Sequence, residues 1–79
     1  MNPIVKTVSA EKGHRLYLEF TNGERREFDV TPYLDKGIFK ELENDAYFEK
    51  PRASMGTVEW PNGQDFRPDT LYELAKVIA

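Results

Sequence analysis

Two carboxylates and one guanidinium lie within five residues near the end of the chain. Asp65, Arg67 and Asp69 flank a predicted turn and the start of a predicted helix, and Tyr72 follows. Paired carboxylates could exchange a proton with a substrate while the arginine holds an anion. In the alternative, Asp65 orders the turn and pairs with Arg67, while Asp69 favours the positive end of the helix dipole. We expect this structural role, because no nucleophile or second base accompanies the acids.

A metal or acid–base site would need ligands or bases elsewhere in the chain. His14 is the one histidine in the sequence, and it precedes Arg15, whose charge disfavours the protonated imidazole. We expect it to be solvated, because a metal site needs more imidazoles or clustered carboxylates. The serines and threonines lack the context of an activated nucleophile, and the glycines lack phosphate-binding spacing. The sequence therefore predicts no enzyme, no catalytic residue, no metal and no cofactor.

Basic residues offer a third kind of site. Four of them could form a nucleic-acid-binding patch if two predicted hairpins lie side by side: Arg25, Arg26, Lys50 and Arg52. Glutamates are interleaved with them, so cross-strand ion pairing is the simpler interpretation. The net charge of −3, from fourteen acidic and eleven basic residues, also disfavours nonspecific binding to nucleic acid. A nucleic-acid-binding or regulatory module is therefore an alternative function, and a small hydrolase centred on Asp65 and Asp69 ranks below it.

The elements that would position these residues begin with three predicted strands, at residues 4–10, 14–20 and 25–30. The second and third alternate apolar and polar residues around Thr21-Asn22-Gly23-Glu24, a sequence typical of a hairpin turn. One face of this hairpin carries apolar residues: Leu16, Leu18, Phe20, Phe28 and Val30.

The opposite face of the same hairpin carries polar side chains and one aromatic. Tyr17 and Glu19 lie there on the second strand, with Glu27 and Asp29 on the third. If no helix covers this face, Tyr17 becomes a candidate residue for binding a partner.

Short helical turns follow the hairpin. Thr31 can cap one that Pro32 opens and Gly37 ends. The segment 38–42 predicts a second, with Ile38 and Leu42 one turn apart on the same side. Asn44 can cap a third that carries Tyr47 and Phe48.

A second hairpin and a last helix complete the chain. Strands at 52–55 and 57–60 meet around Met55-Gly56, with Val58 and Trp60 facing inward. After a turn at Asn62-Gly63, Pro68 opens a helix. An apolar stripe along that helix predicts packing on the sheet, through Leu71, Leu74, Ala75 and Ile78.

Length and composition predict one α+β domain over residues 1–79. We expect a small antiparallel sheet of two hairpins, with about four to five strands, packed with short helical turns and a C-terminal helix. The chain has no cysteine, so disulfides and thiolate metal sites are excluded. It shows no signal peptide and no apolar run long enough for a bilayer, so we expect a cytoplasmic protein without membrane contact.

Several motifs resemble, in order, those of a small bacterial family catalogued as domain of unknown function 2442. They are Leu16-Tyr17-Leu18-Glu19-Phe20-Thr21-Asn22-Gly23-Glu24, Phe28-Asp29-Val30, Gly37-Ile38-Phe39-Lys40-Glu41-Leu42, Phe48, and the stretch from Trp60 to Tyr72. The most specific part is Trp-Pro-Asn-Gly-x-Asp followed by Pro-Asp-x-Leu-Tyr. The resemblance implies an α+β domain with no established activity or cofactor. It also implies that the gene lies beside that of another small protein, as is frequent in the family and as in toxin–antitoxin pairs.

We therefore expect a non-catalytic interaction module, the antitoxin-like or accessory member of a two-protein bacterial operon. Its partner would be a protein encoded nearby, and a homodimer through an unpaired edge strand is also open. The candidate interaction or structural residues are Tyr17, Trp60, Asn62, Gly63, Asp65, Arg67, Asp69 and Tyr72.

Overall fold

Antiparallel strand pairing organises most of the molecule. The structure is a computed structural model that describes residues 2–79. Within these residues the strands are β1 (Val5–Glu11), β2 (Arg15–Phe20), β3 (Arg25–Asp29), β4 (Arg52–Ser54), β5 (Thr57–Glu59) and β6 (Lys76–Val77). The helices are two 3-10 helices at Thr31–Tyr33 and Gly37–Glu43, and the α-helices α1 (Asp45–Phe48) and α2 (Pro68–Leu74). The α+β class expected from the sequence is confirmed.

The larger sheet has the strand order β1-β2-β3-β6, and its neighbouring strands are antiparallel. The predicted hairpin at Asn22-Gly23 joins β2 to β3, where Phe20 N–H donates to Glu24 O at 2.9 Å. The alternating pattern is confirmed as well, because the apolar face of this hairpin is buried at Leu16, Leu18, Phe20, Phe28 and Val30.

The second hairpin, β4-β5, forms a separate two-stranded sheet. It packs beside β1, where Val5 N–H donates to Gly56 O at 2.9 Å. A β-bulge between Val5 and Thr7 interrupts the regular register of β1 at this end. The expected two hairpins are therefore both present, and they meet through β1 without sharing one continuous hydrogen-bonded ladder.

The predicted stripe on the last helix is wrong over its second half. Helix α2 ends at Leu74, and residues 76–77 form β6, which pairs with β3. Ile78 lies beyond the helix and is 48% exposed, and Leu74 is 63% exposed although it belongs to the helix, while Leu71 and Ala75 are buried as predicted. The physical reason is that the backbone of β3 needs hydrogen-bond partners on its far side, and Ile78 N–H supplies one to Arg25 O at 2.9 Å.

Two predictions for the short helical turns are also wrong. The segment 37–43 is a 3-10 helix with three residues per turn, so positions 38 and 42 do not share a face. Leu42 is buried, whereas Ile38 is 64% exposed. Thr31 does not cap the first turn with its side chain; instead its N–H donates to Asp29 Oδ1 at 2.9 Å. The Asn44 cap is confirmed, since Asn44 Oδ1 accepts from Tyr47 N–H at 3.0 Å.

One core joins the two sheets and the helices. Phe66 lies among aromatic rings, with centroids at 5.1 Å from Phe28, 5.0 Å from Phe39 and 6.2 Å from Trp60. The buried apolar residues are Val5, Leu16, Leu18, Phe20, Phe28, Val30, Leu42, Phe48, Val58, Trp60, Phe66, Leu71 and Ala75.

The β4-β5 turn carries a residue that its geometry does not favour. Met55 and Gly56 both have positive φ, at 54° and 81°, which suits asparagine or glycine far better than methionine. Because Met55 is 95% exposed, its side chain contributes no packing that offsets the strain. We expect Met55→Asn to raise the free energy of unfolding by about 1 kcal/mol, measured by urea denaturation.

Gly56→Ala is the matched control at the neighbouring position. An added Cβ there would lie 3.0 Å from Ile4 Cβ, at a φ of 81°, so this change should destabilise the protein. A Met55→Asn variant that unfolds at the same or lower urea concentration than the parent would contradict the strain argument.

Candidate functional site

Most of the polar groups between Trp60 and Gln64 hold the fold together. Gln64 is a buried polar residue, and its Oε1 accepts from Tyr47 Oη at 2.6 Å. Its Nε2 donates to Ile38 O at 3.0 Å and to Glu41 Oε1 at 2.8 Å. The side-chain amide of Gln64 thereby joins the turn at Asn62-Gly63 to the second 3-10 helix and to α1.

Asn62 and Trp60 complete this cluster. Asn62 Nδ2 donates to Glu41 Oε2 at 2.7 Å, and Asn62 N–H donates to Tyr47 Oη at 2.8 Å. Hydrogen bonds from Asn62, and then from Gln64, hold the pKa of the Glu41 carboxyl below its ordinary value. The buried Trp60 donates its Nε1–H to Phe48 O at 3.0 Å. We call Trp60, Asn62, Gln64, Glu41 and Tyr47 the turn cluster.

A second polar group holds α2 against the sheet. Arg26 Nη2 lies 2.7 Å from Glu24 Oε2, and Arg26 Nη1 donates to Tyr72 O at 2.7 Å. The guanidinium carbon lies 3.8 Å from the centroid of the Tyr72 ring, a cation–π contact. Tyr72 Oη donates to the Glu24 carboxylate at 3.0–3.1 Å. The hydrogen bond from Arg26, helped by that from Tyr72, lowers the pKa of Glu24 below its ordinary value.

The acidic residues that could have formed a catalytic pair have separate surroundings. Asp65 is exposed and its backbone forms a bridge with Glu59. Asp69 lies in the first turn of α2, where its Oδ1 accepts from Asn2 Nδ2 at 3.3 Å. The predicted ion pair between Asp65 and Arg67 is wrong for residues 2–79, because both side chains extend into water, where such a pair gains little.

The basic residues on β3 do not come together with Arg52 on β4. Arg25 and Arg26 are neighbours in β3, so their side chains point to opposite faces of the sheet, and Arg26 pairs with Glu24. Arg52 lies on β4, beside β1 and therefore away from β3, and its Nη2 is 2.6 Å from Glu59 Oε1. The expected cross-strand ion pairing is therefore found between Arg52 and Glu59, whereas Arg26 pairs with Glu24, two residues away in the chain.

The sequence predicts that His14 is solvated, but the structure shows its side chain to be partly buried. Its Nε2 lies 3.3 Å from both Asp45 Oδ1 and Glu43 O, and its ring contacts Phe48 edge-on at 5.0 Å. The residue therefore links the β1-β2 turn to the start of α1, and that contact with Phe48 shields it from water.

The outer face of the larger sheet is open in the part of the chain that the structure describes. Tyr17 lies at its centre on β2, between Ser9 on β1 and Glu27 on β3. The ring is 42% exposed. A shallow depression of about 420 Å³ adjoins Tyr17 and is also lined by Glu19, Arg25 and Ile78. This surface brings the exposed Tyr17 and Ile78 together with one acidic and one basic side chain, Glu19 and Arg25.

The sequence did not indicate Glu41, Tyr47 or Gln64 as members of the turn cluster. The only signal was the position of Gln64, which directly follows Asn-Gly and lies between the aromatic residues Trp60 and Phe66. Partner binding by Tyr17 stays a prediction, as do the interaction or structural roles of Trp60, Asn62, Gly63, Asp65, Arg67, Asp69 and Tyr72.

Comparison with known proteins gives one result for this fold. A protein-family model described as protein of unknown function, DUF2442, matches residues 5–77. No curated protein and no solved structure matches the chain. None of the helices within residues 2–79 has the length and apolar character needed to cross a membrane.

Proposed function

The chain belongs to the DUF2442 family of proteins of unknown function, and on this premise we propose that it is a non-catalytic module that binds a protein partner. The observation that carries the proposal is the open outer face of the larger sheet, with Tyr17 exposed at its centre. A rigid aromatic ring on a strand is the kind of side chain that contributes strongly when a partner covers it.

The use of polar groups elsewhere supports this assignment. The turn cluster and the group of Glu24, Arg26 and Tyr72 direct their hydrogen bonds into the protein itself. Their geometry holds the turn and α2 in place, and neither group occupies the outer face of the larger sheet.

Within this class, we propose the accessory or antitoxin-like member of a two-protein bacterial operon, acting in the cytoplasm. The arrangement follows from the resemblance described above. A net charge of −3 suits a partner with a basic surface, since charge complementarity accelerates encounter while apolar anchors supply affinity. In that complex Tyr17 is the anchor and the surrounding charges set orientation.

Co-expression with the product of the adjacent gene tests this function. We expect the two proteins to elute together in size-exclusion chromatography at micromolar concentration. Tyr17→Ala should weaken the complex by at least about tenfold, because truncating an interface anchor costs more than 1 kcal/mol.

Ile38→Ala is the matched control, since Ile38 is an exposed apolar residue on the second 3-10 helix and not on the sheet face. It should leave the affinity unchanged. Two independent peaks for the parent proteins at micromolar concentration would argue strongly against the proposed function, and equal losses for both variants would argue against the sheet face.

A further inference from the structure

Two Asn-Gly pairs occur at exposed turns, and this pair has a characteristic reactivity. Asn22-Gly23 joins β2 to β3, and Asn62-Gly63 belongs to the turn cluster. The backbone nitrogen of a glycine is unhindered because no side chain shields it. After losing its proton to water or hydroxide, that nitrogen can attack Cγ of the preceding asparagine. The new N–Cγ bond closes a succinimide ring, while the Cγ–Nδ2 bond breaks and Nδ2 leaves as ammonia.

Water then opens the ring without any change in oxidation state. Hydrolysis of the bond between the ring nitrogen and Cγ gives aspartate with the normal backbone. Hydrolysis of the bond between the nitrogen and the main-chain carbonyl gives isoaspartate, in which the backbone runs through Cγ and gains a methylene. For either product the asparagine side chain must first turn toward the next nitrogen, so hydrogen bonds that hold the side chain slow the reaction.

The Asn22 side chain is weakly held. Its Oδ1 accepts from Glu24 N–H at 3.0 Å, a bond within the same exposed turn. Apart from Gly23 and its two neighbours in the chain, no residue has an atom within 4 Å of the position that a Cβ on Gly23 would take, so the surroundings of this turn are open.

The Asn62 side chain is strongly held at the atom that must leave. Its Nδ2 donates to the Glu41 carboxylate at 2.7 Å, a charge-assisted bond, and its backbone N–H is bound by Tyr47 Oη at 2.8 Å. Space at Gly63 is open too, so crowding does not distinguish the two sites. The difference lies in the hydrogen bond to Glu41.

We propose that Asn22-Gly23 is a site of spontaneous deamidation, with water as the co-reactant, and that Glu41 protects Asn62-Gly63 from the same reaction. At Asn22 the product carries a new negative charge in the turn that positions Glu24. The isoaspartate form also lengthens the β2-β3 turn, which pulls Glu24 from Arg26 and Tyr72. The hairpin therefore loses the part of its contact with α2 that Glu24 makes, as the protein ages.

Incubation of the folded protein at mildly alkaline pH tests the proposal, with peptide mapping by mass spectrometry to follow each site. We expect Asn22 to convert at least about tenfold faster than Asn62, the factor set by breaking one charge-assisted hydrogen bond. In denaturing urea the two rates should become comparable. Conversion of Asn62 at the rate of Asn22 in the folded protein would overturn the proposal.

Variants of the second 3-10 helix assign the protection to one residue. Glu41→Ala should raise the rate at Asn62 by about tenfold and leave the rate at Asn22 unchanged. Glu43→Ala, an exposed change in the same helix, should alter neither rate. If the Glu41→Ala variant unfolds, Glu41→Gln replaces it, because glutamine keeps an acceptor in place but removes the charge. A faster reaction at Asn62 in the Glu41→Gln variant than in the Glu43→Ala variant supports the proposal. Equal rates at Asn62 in these two variants refute it.

Discussion

Replacing Trp60 with alanine should lower the free energy of unfolding by about 3–5 kcal/mol, as for other buried aromatic residues. Trp60 is buried against Phe48 and Phe66, with ring centroids at 5.7 and 6.2 Å. The change leaves a cavity and also removes the donor for Phe48 O. Because a domain of this size has a total stability of roughly 4–12 kcal/mol, this loss would remove a large share of it and shift unfolding to a much lower urea concentration.

Urea denaturation followed by far-ultraviolet circular dichroism measures this effect without relying on tryptophan fluorescence. Trp60→Phe separates the two contributions, since it keeps a ring and loses only the Nε1–H donor and some volume; we expect about 1–3 kcal/mol. Tyr17→Ala is the control on the surface and should change stability by roughly 0.5 kcal/mol or less. A Trp60→Ala protein as stable as the Tyr17→Ala protein would show that the turn cluster does not hold the core.

Replacing Gln64 with leucine should cost about 2–4 kcal/mol, although leucine is the more apolar residue. The buried amide satisfies three groups at once, Tyr47 Oη, Ile38 O and the Glu41 carboxylate. The exposed Glu41 can bond to water instead, but Tyr47 Oη and Ile38 O lose a partner at a partly buried position, and an unsatisfied group away from water costs more than a hydrogen bond contributes.

Asn62→Ala is the matched control for Gln64→Leu, because it removes a bond to the same carboxylate at an exposed position. Its expected cost is about 0.5–1.5 kcal/mol. Thermal and urea unfolding of both variants provide the comparison. A leucine variant that matches or exceeds the parent in stability would mean that packing at position 64 outweighs the lost hydrogen bonds.

Local patterns in the sequence were enough to predict the β2-β3 hairpin. Alternation put Leu16, Leu18 and Phe20 on one face, and Asn22-Gly23 supplied the positive φ that the turn requires. Both signals lie within a few residues of each other. Tyr17 follows from the same alternation, so its place on the open face was also predictable.

The end of α2 was not predictable in the same way. Residues after Leu71 continue an apolar spacing that suits a helix, yet the chain leaves the helix at Ala75. The competing influence is the otherwise unpaired side of β3. It lies about fifty residues earlier in the chain, as the pairing of Arg26 with Val77 shows. Tertiary pairing therefore overrides local preference, as it often does for short segments.

The turn cluster escaped prediction for a related reason. A glutamine after an Asn-Gly turn is ordinarily an exposed residue, and nothing adjacent to Gln64 indicates otherwise. Its partners come from two other helical segments, at Ile38, Glu41 and Tyr47. Their convergence depends on how those segments pack on the second hairpin, which one sequence does not specify.

The short pairing of β6 with β3 makes this edge of the larger sheet open more easily than the β2-β3 hairpin. This fourth strand pairs with β3 through Arg26–Val77 and Glu27–Lys76, and Ile78 and Ala79 add backbone bonds to Arg25, whereas β2 and β3 pair over five residues. Its amides should then exchange with solvent far sooner than those of the β2-β3 hairpin. When β6 detaches, β3 becomes the edge of the sheet and its peptide groups lose their partners. A strand of another molecule can then pair with β3 for a short time.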